Sequence, residues 1–200
     1  ERLSRAARID EVVIATTVHP QDKPILALCE RMGIRGVAGS EEDVLDRYAM
    51  AARESQADVV ARVTADCPLI DPCLSDQVVE LYVNEKEDYA ANCIQTSFPR
   101  GFETEVFSAQ RLAEIAAVAE KPYEREHVTP YFYQHPEQFK LAFFDAEAEF
   151  ARTDLRLVVD TEEDLRLIRE IYSRLGTESN GFSIRDVMHL MNREPWLKTI

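Results

Sequence analysis

Short apolar runs alternate with longer segments of helical spacing along most of this sequence. The first run, residues 11–17 (EVVIATT), has an unbroken apolar centre, and residues 58–64 (DVVARVT) form a similar one. Runs of this kind are typical of interior strands that are covered on both faces by helices. The alternation therefore predicts an α/β fold built from βαβ units around a parallel or mostly parallel sheet.

Capping residues mark where several helices begin. Ser40 followed by Asp43 resembles a capping box before a helix over residues 41–56. Asp71 and Pro72 are a preferred pair at a helix start. The remaining signals predict strands over residues 35–38, 88–92, 103–107, 139–145 and 155–159, and helices over residues 25–32, 108–119, 161–175 and 183–192.

Length and composition favour a single domain over residues 1–200. The chain has 200 residues, of which 46% are hydrophobic, and no low-complexity run or flexible linker divides it. The pattern changes near residue 95, and we expect residues 95–145 to be an insertion that carries specificity or dimerisation. The aromatic residues of this part belong to the core or to a subunit interface, and we favour the interface, so a homodimer is expected.

The charge balance excludes some classes of partner. The sequence has 23 Lys and Arg against 37 Asp and Glu, a formal net charge of −14. Such a chain repels a nucleic-acid backbone and an anionic membrane surface, and no apolar stretch approaches the roughly 20 residues that cross a bilayer. The four cysteines have no disulfide or metal-knuckle spacing, which favours a cytoplasmic location.

Two aspartates follow predicted strands. Asp66 comes two residues after DVVARVT, and Asp160 comes directly after LRLVV. Ligands of open α/β sheets bind at the carboxyl ends of strands, and paired carboxylates are ligands that Mg²⁺ accepts. A second interpretation stays open, in which Asp66 stabilises its own turn and Asp160 places negative charge at a helix N-terminus.

Five segments carry a family resemblance that runs in unbroken order from about residue 9 to residue 175. They are GSEEDVLDRY (39–48), RVTADCPLIDP (62–72), PRGFETEVFS (99–108), YEREHVTPY (123–131) and VDTEEDL (159–165). The sequence resembles the spore coat polysaccharide biosynthesis protein F family, which is related to CMP-3-deoxy-manno-octulosonate synthetase and acylneuraminate cytidylyltransferase. The resemblance implies an α/β, three-layer, Rossmann-like mixed sheet of the nucleotide-diphospho-sugar transferase (GT-A) type.

The resemblance also implies roles for particular residues. Asp66 and Asp160 match the metal-binding aspartates, with Mg²⁺ as the cofactor. The positions expected beside the nucleotide are Thr16, Thr17, Gly39, Ser40, Asp43 and Arg47. Ser40 and Asp43 are equally well explained as a helix cap.

A second polar cluster is expected to bind the other substrate. Its members are Arg100, Glu103, Glu105, Arg125, Glu126 and His127. The planar guanidinium of arginine suits a sugar carboxylate or phosphate. A surface pair between Glu124 and His127, three residues apart on a helix, is the alternative explanation for part of this cluster.

The implied reaction is nucleotidyl transfer, in which a sugar or sugar acid is activated with CTP for surface polysaccharide biosynthesis. Family members begin with a strand and a loop rich in Arg, Gly and Lys that holds the triphosphate, and this loop is absent here. Residues 1–8 resemble the end of the helix that follows that loop, so about 40 residues are expected upstream. Two other functions stay open: a metal-dependent glycosyltransferase of the same fold, and a non-catalytic domain acting in dimerisation or as a partner module.

Overall fold

The computed structural model describes residues 1–94, 97–176 and 181–200. Within these ranges the strands are β1 (Val13–Thr17), β2 (Arg35–Gly39), β3 (Val59–Arg62), β4 (Tyr89–Ala91), β5 (Glu105–Ser108) and β6 (Leu141–Phe143). β1 and β2 form a parallel pair, and a second sheet has the order β3-β5-β4-β6. β5 runs antiparallel to both of its neighbours, whereas β4 and β6 are parallel. The second sheet is therefore mixed, as the family resemblance implies and the strand pattern alone does not.

The helices lie between the strands and after them. They are α1 (Lys23–Met32), α2 (Val44–Glu54), α3 (Pro72–Glu85), α4 (Ala109–Val118), α5 (Pro122–His127), α6 (Pro130–Gln134), α7 (Glu162–Leu175) and α8 (Ile184–Arg193). Short 3-10 turns cover Leu3–Arg5, Pro20–Asp22 and Pro195–Thr199. None of the described helices combines the length and apolar character that crossing a membrane requires.

Alternating residues of the second sheet face two helical layers. Tyr89 and Ala91 pack in a cluster with residues of α2 and α4. Ala90, between them in β4, packs with Val78 and Val79 of α3. The alternation follows from the two-residue period of a strand, and it gives the three-layer arrangement of helices, sheet and helices.

The aromatic residues of the expected insertion pack mainly within this chain. Phe132 is fully buried and its ring stacks on Tyr89 at 5.1 Å, while Tyr131, Tyr133 and Phe139 pack partly buried in the same cluster. Burial therefore excludes Phe132 from the expected subunit interface, whereas the interface stays a prediction for the partly buried Tyr131, Tyr133 and Phe139. Residues 95 and 96 of the expected insertion lie outside the described residues.

Two sequence predictions about local structure need correction. The N-cap of α2 is Asp43, whose side chain accepts from Asp46 N at 2.9 Å, while Ser40 only accepts from Asp43 N in the preceding turn. The helix therefore begins three residues later than the capping-box pattern indicates. Asp46 follows Asp43 by three residues, just as Asp43 follows Ser40, so the spacing typical of a capping box occurs twice in this segment.

The strand expected over residues 155–159 is reduced to a single bridge between Arg156 and Arg100. Gly101 turns the chain away directly after this bridge, with φ at +114°. A Cβ at Gly101 would lie 2.5 Å from the carbonyl oxygen of Leu157, so the two segments approach closely but do not extend their pairing.

A single carboxylate joins the starts of two helices. Asp71 is 2% exposed, and its Oδ1 accepts from Leu74 N at 3.0 Å while its Oδ2 accepts from Ile184 N at 2.7 Å. Arg2 donates to the carbonyls of Ile70 and Phe182 at 2.7 and 2.8 Å. The N-terminal segment, the loop before α3 and the start of α8 are thus fixed at one point.

We expect Asp71→Ala to lower the free energy of unfolding by about 2–4 kcal/mol, because it removes one helix cap and leaves buried N–H groups without an acceptor. Urea unfolding measures the loss. Ser108→Ala is the control: Ser108 caps a single helix, α4, accepting from Arg111 N at 3.1 Å, and the loss of this cap is expected to cost about 1 kcal/mol. Equal losses in the two variants would contradict the double role of Asp71.

Candidate functional site

The carboxyl ends of β1 and β2 bring together the first predicted site residues. Thr17 pairs with Gly39 in the parallel register, and Val18 N donates to the Gly39 carbonyl at 3.1 Å. Thr16 is buried, while the Thr17 hydroxyl is hydrogen-bonded to the Asp22 carboxylate. The two threonines and the Gly39–Ser40 turn therefore lie at one edge of the sheet.

Gly39 allows Arg47 of α2 to lie against this edge. A Cβ at position 39 would be 3.0 Å from Arg47 Cγ and 2.9 Å from Met50 Cε, which is too close for a larger residue without movement. The Arg47 guanidinium donates to the Ser40 carbonyl through Nη1. Arg47 thus supports the turn that precedes α2.

An ion pair connects this edge to the second predicted cluster. Arg125 Nη2 lies 2.6 Å from Asp43 Oδ2, and Arg125 Nη1 donates to the Ala116 and Ala119 carbonyls at 2.9 and 3.0 Å. Burial alone would raise the pKa of Asp43, but the hydrogen bond from Arg125 lowers that pKa below its usual value. Glu126 and His127, next along α5, are exposed.

The two predicted metal-binding aspartates lie on adjoining segments. Val159 N donates to the backbone carbonyl of Asp66 at 2.9 Å, so Asp160 follows directly after this contact. The Asp160 carboxylate is 61% exposed and forms an ion pair with Arg156. Residues far apart in the sequence are thereby joined at one point of the backbone.

The start of α7 holds Asp160 in place. Asp164 accepts from the N–H groups of Asp160 and Thr161, both at 2.9 Å, and also pairs with Arg156. These backbone hydrogen bonds, led by the one from Asp160, lower the pKa of Asp164 to about 2. Asp160 therefore lies beside the N-terminus of α7, as expected if it only places negative charge there. It also lies next to the Asp66 segment, which that interpretation does not require.

Glu103 and Arg100 lie beside the Asp66 loop. Glu103 Oε2 accepts from Gly101 N at 2.7 Å and from the Cys67 thiol at 3.4 Å, and its Oε1 is 3.8 Å from Arg100 Nε. The Arg100 side chain is 69% exposed, which leaves its guanidinium accessible. Burial raises the pKa of Cys67 to about 12, so this thiol is protonated and packed rather than nucleophilic.

Glu105 differs from the other members of the predicted substrate cluster because it is buried. Its side chain pairs with Arg62 and also accepts from Tyr89 and Thr129. Sequence reasoning missed these three partners, since only the register of β3 and β5 and the fold of the α5–α6 turn bring them to Glu105. It also missed Arg156, for which the spacing of four residues before Asp160 was an available signal.

Within residues 1–94, 97–176 and 181–200, no three His, Cys, Asp or Glu side chains converge in a way that could hold a metal ion. A cation shared by Asp66 and Asp160 would accordingly take its other ligands from water or from substrate oxygens. This is the coordination that Mg²⁺ commonly adopts with phosphates.

Comparison with known proteins gives a consistent result. The family model described as cytidylyltransferase matches residues 1–186. Spore coat polysaccharide biosynthesis protein SpsF of Bacillus subtilis is 33% identical over 187 residues, which cover 93% of this chain and 76% of that protein.

Solved structures agree with this assignment. A cytidylyltransferase from Leptospira borgpetersenii has a TM-score of 0.91 at 30% identity, and the match covers 98% of this chain and 82% of that one. CMP:2-keto-3-deoxy-manno-octonic acid synthetase, solved in complex with CTP, shares the fold with a TM-score of 0.63 at 15% identity, over 86% of this chain and 85% of that one. These matches confirm both the family resemblance and the nucleotide-sugar transferase fold, and the chain belongs to the cytidylyltransferase family.

Proposed function

We propose that this protein transfers a cytidylyl group from CTP to a sugar or sugar acid and releases pyrophosphate. The observation that carries the proposal is the junction between the Asp66 and Asp160 loops, in a chain of the cytidylyltransferase family. A hydroxyl oxygen of the sugar forms a bond to the α-phosphorus and gives up its proton to water. The bond between the α-phosphorus and the oxygen that bridges to the β-phosphate breaks, and pyrophosphate leaves. Such a reaction needs positioned groups and charge stabilisation rather than a protein nucleophile.

Asp66 and Asp160 are the residues that would hold Mg²⁺. Carboxylate oxygens are ligands of the kind this ion prefers, and the exposure of Asp160 leaves room for phosphate oxygens. Bound there, Mg²⁺ would stabilise the negative charge that develops on the departing pyrophosphate. Arg156, which is paired with Asp160, would orient that carboxylate.

The remaining site residues divide into two groups. We place the nucleotide at the edge formed by Thr16, Thr17, Gly39 and Ser40, supported by Arg47. The accessible guanidinium of Arg100, with Glu126 and His127, would face the acceptor sugar, since a planar guanidinium can bind a carboxylate in two places. Asp43 and Arg125 join the two groups.

The charge of the triphosphate calls for basic groups beyond those described. Within the described ranges β1 pairs only with β2, and β3 pairs only with β5. Val59 of β3 is 42% exposed although it is apolar. β2 and β6 are edge strands as well. The open edges of β1 and β3 support our proposal that a further strand with a basic, glycine-containing loop completes the site, and the reading frame upstream of Glu1 tests it.

We expect Asp66→Asn and Asp160→Asn each to lower pyrophosphate release by at least about 100-fold, because a neutral amide is a poor magnesium ligand. The assay follows pyrophosphate from CTP and a panel of sugars and sugar acids, with and without Mg²⁺, on the full natural chain. Asp10→Asn is the matched control, since Asp10 is an exposed aspartate outside the site. Unchanged turnover in Asp66→Asn would contradict the proposed role of Asp66 as a metal ligand.

The same panel of substrates distinguishes a cytidylyltransferase from a glycosyltransferase and from a non-catalytic domain. Transfer from a finished nucleotide sugar, without pyrophosphate, would indicate a glycosyltransferase. Absence of both activities in the folded natural protein would favour a non-catalytic domain. Discrimination among CTP, UTP, ATP and GTP identifies the nucleotide.

Asp43→Asn tests the connection between the two groups. Asparagine still caps α2, so the free energy of unfolding should fall by less than about 1 kcal/mol, but the charge facing Arg125 is lost. A partly exposed ion pair contributes up to about 1 kcal/mol, so the KM for CTP should rise by up to about fivefold with kcat little changed. Steady-state kinetics measure the change, and Asp186→Asn, at the start of α8, is the control for altering a capping aspartate. An equal rise of KM in the control would count against a role for the Asp43–Arg125 pair.

A further inference from the structure

The Glu105 carboxylate joins four separate parts of the chain. It is 4% exposed, and its Oε1 accepts from the Tyr89 and Thr129 hydroxyls, each at 2.6 Å. Its Oε2 accepts from the Arg62 guanidinium, the residue paired with Glu105 in the register of β3 and β5. With these donors the buried charge is compensated, so Glu105 has an internal role and does not reach toward solvent.

Thr129 stands in a strained turn. Val128 has φ of +72° and ψ of −53°, and Thr129 N donates to the His127 carbonyl two residues earlier at 2.8 Å. This is a γ-turn with positive φ, which is rare and strained, and a buried β-branched residue is poorly suited to it. Such a conformation persists only where the surroundings determine it.

The bond from Thr129 to Glu105 is positioned to supply that constraint. On one side of the turn Arg125 is paired with Asp43, and Glu126 and His127 are exposed. On the other side, through Glu105, the contact reaches Arg62 at the end of β3, four residues before Asp66. The turn that follows the exposed Glu126 and His127 is thus connected, through Glu105, to the strand that precedes Asp66.

We infer that Glu105 and Thr129 are positioning residues that hold the Val128 turn, and with it Glu126 and His127, in the orientation that receives the acceptor sugar. The inference rests on the proposed function and deepens it: Glu105 acts through Thr129 and does not touch the sugar. It replaces the sequence-based role of Glu105 as a direct substrate contact.

The test compares Thr129→Val with Thr129→Ser and Thr104→Val. Valine keeps the shape of threonine but removes the hydroxyl, whereas serine keeps the hydroxyl. Thr104 is the matched control because it is also fully buried and its hydroxyl is bonded to Ser75 Oγ at 2.9 Å, beside α3 and away from the turn. Should Thr129→Val fail to fold, Thr129→Ala takes its place with the same expected results.

Thr129→Val should raise the KM for the sugar by about tenfold and leave the KM for CTP within about twofold. Thr129→Ser should have the wild-type KM for the sugar. Thr104→Val should also have the wild-type KM for the sugar, even if the two valine variants lose similar stability. A rise of the sugar KM in both valine variants, or in neither, would overturn the inference.

Amide hydrogen exchange gives a readout that needs no activity. Exchange at residues 126–129 should be about tenfold faster in Thr129→Val and unchanged in Thr104→Val. If the wild-type protein transfers no nucleotide to any sugar, the proposed function fails, and exchange alone then decides whether the hydroxyl holds the turn. Unaltered exchange in Thr129→Val would overturn the inference whatever the kinetics show.

Discussion

The arrangement of the site depends on the backbone between Asp66 and Asp71, which is fixed at both ends. At one end the Asp66 carbonyl accepts from Val159, and at the other the Asp71 carboxylate caps α3 and α8 together. A buried carboxylate that accepts two helix N-terminal N–H groups gains from both helix dipoles. The loop that carries Asp66, the proposed metal ligand, therefore has little freedom, which suits a residue that must meet a partner from a distant segment.

Much of this fold could be predicted from local patterns in the sequence. The Thr161 cap of α7 and the Ser183 cap of α8 are each formed by side chains three residues apart, so sequence spacing is sufficient to find them. The position of Asp66 after a strand is local in the same sense. Where two capping patterns overlapped, at Ser40 and Asp43, spacing could not decide which residue caps α2.

Features that depend on register and tertiary packing could not be predicted in the same way. The burial of Glu105 follows from its pairing with Arg62 across two antiparallel strands, and nothing in the spacing of these residues reveals it. The reduced strand near Arg156 depends on the turn at Gly101 in the neighbouring segment. The burial of Phe132 in α6 could not be predicted because its partner, Tyr89, lies some forty positions earlier in the sequence.

Asp43 performs two tasks with its two oxygens, one on the backbone of α2 and one on the guanidinium of Arg125. Arg125 in turn holds the last carbonyls of α4. The positive N-terminal end of α2 and the negative C-terminal end of α4 are thereby connected through the ion pair between Asp43 and Arg125. A displacement of the Ser40 turn would therefore either break this pair or move α4 and α5 along with α2, so a movement at this edge of the sheet would be transmitted to Glu126 and His127 on α5.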